Sequence, residues 1–402
     1  MAPGNRPILI AGAGIGGLTT ALGLAQRGLS CRVLERRHEL SEAGAGIQLG
    51  PNAMQVLNRL GVGERLREVA GQPESIEVSI GATGRHIAHL PLGAAVARMY
   101  GAPYLVCHRA DLQDVLADAI SGQRLIQLEL GFEVSGFEEA EDGVHVLSGE
   151  GETRSGVALV GADGLWSSVR GLLDPGFSLK YSGKMAARAL VPTSLAPARF
   201  AAPVTGVWLG GDAHVVHYPI RGGQEIAVVV IVDEPLAREG WGGEIAALDV
   251  LHRLSGFSPE LIDFLMLAPS WRAWSLYDPT PLASWSRGAV GLLGDAAHPI
   301  LPFLAQGGAM AIEDSETMSA LFARTGAKPQ EVFAEFEKLR RARVLKVQDA
   351  SRENGRIYHL SGPIAWARNA ALAVLPGGLM MDRYDWLYGW NGDGIWATAG
   401  AG

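Results

Sequence analysis

The N-terminal part of the chain has the apolar pattern of a strand, a helix and a second strand. The short, β-prone run Ile8–Ala11 predicts the first strand, and Leu18–Gln26 has helical spacing and is followed by Gly28, a residue type that commonly ends helices. The apolar run Cys31–Leu34 predicts the second strand. A strand, a turn, a helix and a strand within about 30 residues form a βαβ unit, which implies a parallel sheet.

The pattern changes in the middle of the chain and later returns. Between residues 181 and 232 apolar and polar positions alternate in stretches separated by glycine pairs, which predicts a mostly antiparallel sheet. Helical spacing follows at 245–254, the glycine-rich texture resumes after Trp285, and 329–359 predicts a long helix charged on one face. We therefore expect an α/β and α+β protein. The Rossmann-like domain is discontinuous, comprises residues 1–75, 100–180 and 280–402, and includes a helical tail. A mostly antiparallel substrate domain, residues 76–99 and 181–279, is inserted into it.

Composition narrows the class of protein. The 402 residues are 48% apolar and 19% charged, which permits a sizeable core and argues against disorder. The net charge of −8 argues against nucleic-acid binding, because that binding needs Lys and Arg to neutralise phosphates. Two cysteines, Cys31 and Cys107, exclude a disulfide framework, and no metal-ligand cluster is evident. We find no membrane-length apolar run and no signal-peptide pattern, so we expect a cytoplasmic protein.

A glycine-rich turn follows the first predicted strand. Gly12, Gly14 and Gly17 satisfy G-x-G-x-x-G, and Gly16 adds a further glycine. In this pattern the first glycine permits the tight turn, the second lets a pyrophosphate approach, and the last lets helix and sheet pack closely. The positive end of the helix dipole then faces the anion. Glu35, at the end of the second strand, can bind ribose hydroxyls and would repel a 2′-phosphate, which predicts a nucleotide of the FAD or NAD type. The alternative is a glycine turn without a ligand.

Further segments carry a specific resemblance. The stretch 161–170, GADGLWSSVR, resembles the DG motif of the single-component FAD-dependent aromatic hydroxylases, the class A flavoprotein monooxygenases. The stretches 294–299, GDAAHP, and 306–314, QGGAMAIED, resemble the GD motif of the same family, and 108–112 resembles its arginine segment. The tail 383–390 is similar to the branch of salicylate hydroxylases and 3-hydroxybenzoate 6-hydroxylases. The resemblance implies the fold of para-hydroxybenzoate hydroxylase.

The resemblance also implies a bound FAD. Asp295 follows an apolar strand, so it lies at a sheet edge where its carboxylate can accept hydrogen bonds from ribityl hydroxyls. A helix beginning at Gly307 and Gly308 would direct its N-terminal dipole at the pyrimidine edge of the flavin. His298, in the turn before a proline, is expected to be structural. The expected cofactor contacts are Gly12, Gly14, Ile15, Gly16, Gly17, Glu35, Arg36, Gly46, Arg109, Asp163, Asp295, Gly307, Gly308, Ala309 and Met310, and no metal is expected.

Two of these contacts have structural alternatives. The resemblance places Arg109 near the ribityl or pyrophosphate region, but the same side chain could form a surface ion pair with Asp111 or Asp114. Asp163 could contact the cofactor, or it could cap a helix that begins near Ser167. The sequence leaves both alternatives open.

The predicted substrate wall lies on one strand of the inserted domain. Positions 214 and 218 share a face of that strand, whereas His217 points to the other face. Relatives similar to 3-hydroxybenzoate 6-hydroxylase carry a His and a Tyr at this spacing, which implies that His214 accepts the phenolic proton and Tyr218 orients the substrate. The alternative is a hydrogen-bonded strand histidine beside an ordinary tyrosine. Arg188 could hold a substrate carboxylate or pair with an acidic residue of the protein.

The resemblance thus implies a monooxygenase that uses FAD, NADH or NADPH, and O2 to hydroxylate a small phenolic or heteroaromatic acid through a C4a-hydroperoxyflavin, as a monomer or homodimer. The alternatives are an FAD-linked dehydrogenase or reductase on the same scaffold and a non-catalytic dinucleotide-binding protein. Ala187 and Pro302 depart from residues common in the branch, so the aromatic substrate stays open. We expect the flavin ring between the helix start at Gly307 and the wall that carries His214.

Overall fold

The computed structural model describes residues 6–40, 46–141, 143–238 and 242–392. The strands in this part are β1 (Ile8–Ala11), β2 (Cys31–Glu35), β3 (Gly46–Leu49), β4 (Ser75–Ile80), β5 (His86–Pro91), β6 (Leu105–His108), β7 (Ile126–Leu130), β8 (Val134–Ala140), β9 (Gly143–Ser148), β10 (Thr153–Gly156), β11 (Ala158–Gly161), β12 (Leu179–Pro192), β13 (Val204–Leu209), β14 (Ala213–Ile220), β15 (Glu225–Asp233), β16 (Gly243–Ile245), β17 (Trp271–Pro279), β18 (Ser286–Arg287) and β19 (Val290–Leu292). The α-helices are α1 (Ile15–Gln26), α2 (Pro51–Arg59), α3 (Gly63–Val69), α4 (Gly93–Tyr100), α5 (Arg109–Ile120), α6 (Ser168–Leu173), α7 (Ala198–Ala201), α8 (Ala247–His252), α9 (Pro259–Leu265), α10 (Gly307–Phe322), α11 (Pro329–Tyr358), α12 (Gly362–Val374), α13 (Gly377–Asp382) and α14 (Asp385–Tyr388). The mixed α/β fold and the helical C-terminal region agree with the expectation from the sequence.

A six-stranded sheet in the order β18-β19-β11-β1-β2-β7 forms the framework for the glycine turn. Strand β1 is fully buried and pairs in parallel with both β2 and β11, while β19 continues the parallel set beside β11. The carboxyl ends of these strands therefore meet at one edge of the sheet. The glycine turn after β1 and the side chains of Glu35, Asp163 and Asp295 all gather at this edge.

An eight-stranded sheet in the order β16-β17-β12-β15-β14-β13-β4-β5 carries the predicted substrate wall. Its neighbouring strands pair antiparallel except β13 and β4, which are parallel. One face packs into an apolar core, in which His217 lies against the rings of Phe200 and Phe264. The opposite face borders a large cavity, and His214 and Tyr218 lie on that face. The alternation of β14 therefore separates these side chains as its period of two requires.

The two sheets draw on different parts of the chain. Strands β4 and β5 join the eight-stranded sheet together with the strands between residues 179 and 279, whereas β1, β2, β7, β11, β18 and β19 form the other sheet. Strands β8, β9 and β10 form a separate three-stranded sheet, and β3 pairs with β6. The division into a cofactor domain and a substrate domain stays a prediction, which this arrangement of sheets suits.

Element boundaries differ from the sequence pattern in two places. Helix α1 begins at Ile15, three residues before the apolar stretch that predicted it, because Gly16 and Gly17 already belong to the helix. Helix α8 covers only Ala247–His252, since Ile245 belongs to β16 and pairs with Trp271. Helix α11, Pro329–Tyr358, agrees with its prediction to within a residue. Within the described ranges, no helix combines the length and apolar character needed to cross a membrane.

Candidate active site

A cavity of about 600 Å³ lies between the carboxyl edge of the six-stranded sheet and one face of the eight-stranded sheet. The glycine turn, the start of α10 and the strand that carries His214 all contribute to its lining. The helix start and the substrate wall, which are 93 residues apart between Gly307 and His214, are thus brought to one space. This juxtaposition is the one expected for a flavin ring between the helix start and the wall that carries His214.

The glycine turn is built so tightly that side chains are excluded. A Cβ on Gly12, whose φ is +101°, would lie 2.7 Å from the carbonyl oxygen of Ala162, and a Cβ on Gly17 would lie 1.9 Å from the carbonyl oxygen of Gly12. The Glu35 carboxylate fixes the turn by accepting hydrogen bonds from the backbone N–H of Ala13 (2.8 Å) and Arg37 (3.0 Å). The carboxylate keeps acceptor capacity for ribose hydroxyls, because each of its oxygens can accept more than one hydrogen bond.

Asp163 has the capping role that the sequence left open. Its carboxylate accepts hydrogen bonds from the Ser167 hydroxyl (2.5 Å) and from the backbone N–H of Val169 (3.1 Å), at the start of α6. Burial raises the pKa of Asp163, and these hydrogen bonds oppose that rise. Asp163 also lines the cavity, so a cofactor contact is compatible with the cap.

The N-terminus of the 16-residue helix α10 faces the cavity through Gly307 and Gly308. A Cβ on Gly308 would lie 2.6 Å from the Ile47 side chain, so the lack of a side chain lets β3 approach the helix. The first N–H groups of a helix have no partner inside it, and the dipole is positive at this end. Negative charge developing on a ligand beside this helix start would be stabilised.

The structure brings most of the predicted site residues to the cavity and leaves a few behind its wall. The residues that line it are Gly12, Gly14, Ile15, Gly16, Glu35, Arg36, Gly46, Arg109, Asp163, Arg188, His214, Tyr218, Asp295, Gly307 and Gly308. Gly17, Ala309 and Met310 do not line it; Gly17 serves the packing of the turn, and Ala309 and Met310 are fully buried in the core. The roles assigned to all of these residues stay predictions.

Tyr218 is held by residues that the sequence analysis missed. Its hydroxyl is hydrogen-bonded to the side chain of Gln48, and Gln48 Oε1 also accepts a hydrogen bond from the Tyr104 hydroxyl at 2.5 Å. A Cβ on Gly46 would lie 2.4 Å from the Tyr218 hydroxyl oxygen, so the tyrosine occupies the space beside this glycine. Burial raises the pKa of Tyr218, which keeps the hydroxyl protonated at neutral pH.

His214 is buried at the other end of the same strand face and is not isolated. Its Nδ1 lies 2.8 Å from Nε2 of His359, the residue that caps the C-terminal end of α11, while the rings of Tyr358 and Phe303 pack around it. Burial, together with the positive charge of Lys184 and the neighbouring His359, holds the pKa of His214 well below its usual value. The imidazole is therefore neutral at physiological pH, with one ring nitrogen that donates a hydrogen bond and one that accepts.

Arg188 brings a positive charge to the cavity. Its side chain borders the cavity space deep inside the molecule and stacks over Trp274 at 4.9 Å, but among the described residues it has no carboxylate partner and no hydrogen bond. Burial and the nearby charge of Arg109 lower the pKa of Arg188 to about 10, so it remains charged at neutral pH. The pairing of Arg188 with a protein acid, one of the two expectations, is absent from the described part of the chain.

Arg109 also lines the cavity. Asp111, one of its suggested surface partners, lies 3.6 Å from Arg221. Arg109 and Arg188 both lie near Tyr218 on the cavity lining. Their positive charges favour an anionic ligand in this part of the cavity.

Residues 5–351 match the family model described as FAD binding domain. The chain belongs to this FAD-binding family. Over 390 residues it is 35% identical to 3-hydroxybenzoate 6-hydroxylase of Polaromonas naphthalenivorans strain CJ2, with 97% of each chain covered. It is 32% identical to 6-hydroxynicotinate 3-monooxygenase of Bordetella bronchiseptica, over 87% of this chain and 92% of that one.

A solved salicylate hydroxylase substrate complex has a TM-score of 0.82 to the present structure, with 25% identity and 98% of both chains covered. The family membership confirms two expectations: an enzyme of the FAD-dependent aromatic monooxygenase type, and FAD as its cofactor. The residues present fit that cofactor, because Gly12, Gly14 and Gly16 border the cavity without side chains and the start of α10 borders the same space.

Proposed function

We propose that this enzyme hydroxylates a small aromatic acid that carries a phenolic hydroxyl, using NADH or NADPH and O2. The observation that carries the proposal is the position of Arg188, a charged guanidinium without a protein carboxylate, on the same cavity lining as His214 and Tyr218. One wall thus offers a cation for a carboxylate and a neutral base for a phenol. A phenolic acid has both groups on one ring.

The FAD would be held at the carboxyl edge of the six-stranded sheet. Its pyrophosphate would bind the turn at Gly12–Gly16, and its ribose would bind Glu35. Its ribityl chain would bind Asp295, and the start of α10 would face the flavin ring. When bound, FAD would supply the redox and oxygen-transfer chemistry of the reaction, with NADH or NADPH and O2 as cosubstrates.

Arg188 would bind the substrate carboxylate. An Arg–carboxylate pair is charge-assisted and can be bidentate, and it gains strength where bulk water is excluded. The bound anion would also offset the burial and the repulsion from Arg109 that together lower the pKa of Arg188. Binding the acid is therefore favoured over binding the same ring with a neutral substituent.

His214 would accept the phenolic proton, and Tyr218 would orient the ring by hydrogen bonding to it. Removing the proton raises the electron density of the ring, which makes its carbon a better nucleophile toward an electrophilic oxygen. The neutral state of His214, caused first by its burial, is the state that this role requires. Tyr218 stays protonated and can donate a hydrogen bond to the resulting phenolate.

Side chains from the C-terminal region enclose the cavity. Met380, Met381, Tyr384 and Tyr388 of α13, α14 and the connecting residues line it, and Tyr388 packs against Tyr104 with ring centroids 6.1 Å apart. These apolar and aromatic groups exclude water from the reacting ring. Exclusion of water strengthens the interactions of Arg188 and His214 with a substrate.

A substrate panel tests this function. The purified, FAD-loaded protein is assayed for NADH- and NADPH-dependent oxygen uptake with 3-hydroxybenzoate, salicylate and 6-hydroxynicotinate, and products are identified by mass. The methyl ester of each acid is the matched control, because it keeps the ring and hydroxyl but loses the charge. We expect at least one acid to stimulate oxygen uptake and to gain one oxygen atom, and its ester to be about 100-fold less effective in kcat/KM.

Oxidation of substrates without oxygen uptake would instead indicate a dehydrogenase. Equal activity on an acid and its ester would remove the role proposed for Arg188.

A further inference from the structure

We infer that His359 acts through His214 as a positioning residue that conducts the substrate proton from the cavity to the protein surface, with Asp233 as the outlet and Lys184 as the group that sets the direction. The inference deepens the proposed function and rests on it, because the proton in question comes from the phenol. It assigns a role to residues that the glycine turn and the substrate wall do not involve.

The chain of contacts is continuous. Nδ1 of His214 lies 2.8 Å from Nε2 of His359, and Nδ1 of His359 lies 3.0 Å from Oδ1 of Asp233. The Lys184 ammonium also lies 3.0 Å from Nδ1 of His359 and forms an ion pair with Asp233. These groups come from β14, the end of α11, β15 and β12, so the folded structure assembles the path from four separate elements.

The two ends of this path face different spaces. His214 is 1% exposed and lines the cavity, whereas the Asp233 side chain is 51% exposed. His359 and Lys184 line a second pocket, which is separate from the cavity and is bordered by Lys180 and Arg356. His359 therefore stands between the cavity and an aqueous surface pocket, with only 6% of its side chain exposed.

The contacts of His359 allow two matched proton arrangements. In the first, His359 Nδ1–H donates to Asp233, so its Nε2 accepts from Nδ1–H of His214, and Nε2 of His214 has a lone pair. In the second, Lys184 donates to Nδ1 of His359, whose Nε2–H then donates to Nδ1 of His214, so His214 carries its proton on Nε2. A neutral imidazole has one donor and one acceptor nitrogen, which couples the two rings.

The reaction step converts the first arrangement into the second. The phenolic O–H bond breaks and its proton joins Nε2 of His214, while the Nδ1 proton of His214 passes to Nε2 of His359. The Nδ1 proton of His359 passes to Asp233 and from there to water. The net result is a phenolate in the cavity, one proton in the solvent and two neutral histidines. The path returns a proton when the product regains its hydroxyl.

The electrostatics explain why His214 alone is insufficient. The charged groups that face His359 are Lys184 from β12, Asp233 from β15 and Asp212 from the turn before β14. Burial, His359 and Lys184 all disfavour a cationic His214. A proton that stayed on this imidazole would be held in an unfavourable state, whereas transfer through His359 leaves both rings neutral.

The kinetic test uses FAD-loaded protein mixed rapidly with 3-hydroxybenzoate in weak buffer that contains a pH indicator. The unmodified protein should release a proton on binding. In His359→Gln, which keeps a donor but cannot pass a proton, release should slow at least tenfold and kcat should fall in parallel, with KM changed less than about twofold. Imidazole should restore the rate in His359→Gly, because the second pocket admits it.

Unchanged release in His359→Gln, or a slower release that is accompanied by lost FAD and by no imidazole rescue, would overturn the relay. A protein that turns over no phenolic acid at all would remove the proposed function and with it the kinetic role.

A second measurement does not depend on turnover. Nitrogen-15 NMR of the histidine rings reports which ring nitrogen carries the proton. Lys184→Met should shift both His359 and His214 toward the arrangement with the proton on Nδ1, and Lys180→Met, an exposed lysine lining the same pocket, should shift neither. A change at His359 that leaves the His214 tautomer unaltered would show that the rings are uncoupled and would refute the inference.

Discussion

Two regions of this molecule bury positive charge in opposite ways. Between α10 and α11, Arg340 donates to Asp314 (2.7 Å) and to Glu313 (2.8 Å), while His298 contacts Asp314 at 2.6 Å and Arg343 donates to Glu313. Every charge in this buried cluster has a protein partner of opposite sign. In the cavity, Arg188 has an aromatic neighbour and a second arginine nearby, but no carboxylate from the described residues.

The difference distinguishes a charge that stabilises the fold through protein partners from a charge that is available to bind a ligand of opposite sign. Removing a partner from a paired buried cluster leaves an uncompensated charge, which is strongly unfavourable. A buried cation without a partner already carries that cost in the free protein, and an anionic ligand would remove it. Substitutions in the two regions should therefore change different observables and, for stability, have opposite signs.

The largest effect is expected in the paired cluster. Arg340→Ala should lower the free energy of unfolding by about 3–5 kcal/mol, because it removes the buried cation that Glu313 and Asp314 share. Urea unfolding followed by circular dichroism measures the change. Lys338→Ala, on the same helix but with 76% of its side chain exposed, should cost less than about 1 kcal/mol. Similar losses in both variants would mean that the cluster does not differ from a surface pair.

The next effect concerns substrate binding. Arg188→Met should raise KM for a phenolic acid about 100-fold, equivalent to about 2.7 kcal/mol, and should leave its methyl ester nearly unaffected. Arg272→Met, an exposed arginine at the paired position of β17, is the control. Steady-state kinetics, with FAD content measured in parallel, give KM for the acid and for the ester. An equal rise in KM for both compounds would argue that Arg188 does not bind the carboxylate.

A third effect is the acid sensitivity of the paired cluster. Burial raises the pKa of Asp314, but the charges of His298 and Arg340 outweigh burial and lower it to about 2, from an ordinary 3.8. The ionised carboxylate therefore stabilises the fold above about pH 4, and this contribution, on the order of 2 kcal/mol, is lost as the pH falls toward 2.

Asp314→Asn should be less stable at pH 7 and should lose less stability between pH 4 and pH 2. Chemical unfolding at several pH values provides both slopes, and parallel curves for the two proteins would contradict the assignment.

The smallest expected effect has the opposite sign from the first. Arg188→Met replaces an uncompensated cation by an apolar side chain of similar length, so the free energy of unfolding without substrate should rise by about 1 kcal/mol. The same urea measurement checks this. A loss of more than 1 kcal/mol would indicate that Arg188 is a structural charge like Arg340.

Local patterns were sufficient for much of the fold and for the cofactor turn. The apolar run Ile8–Ala11 is a strand with the predicted bounds, and the helix at 329–358 was visible because its apolar positions repeat over many turns. The roles of the glycines at 12 and 17 could be anticipated because a close backbone approach is a property of a few consecutive residues.

Contacts between distant segments could not be read in this way. His214 and His359 are 145 residues apart, and Gln48 reaches Tyr218 from a strand in another sheet. The pairing of Arg340 with Glu313 and Asp314 could not be predicted either, because a charged position in an amphipathic helix ordinarily faces water. Such pairings depend on how the sheets and helices pack, which no single stretch of sequence specifies.

The bare backbone at Gly46 has a consequence for attempts to alter this enzyme by directed evolution. Residue 46 belongs to β3 and lines the cavity, yet the Tyr218 hydroxyl fills the place where its Cβ would stand. Even an alanine introduced there would displace the tyrosine. Libraries that aim to change substrate preference should therefore hold position 46 constant while varying position 218, or vary the two together as a single unit.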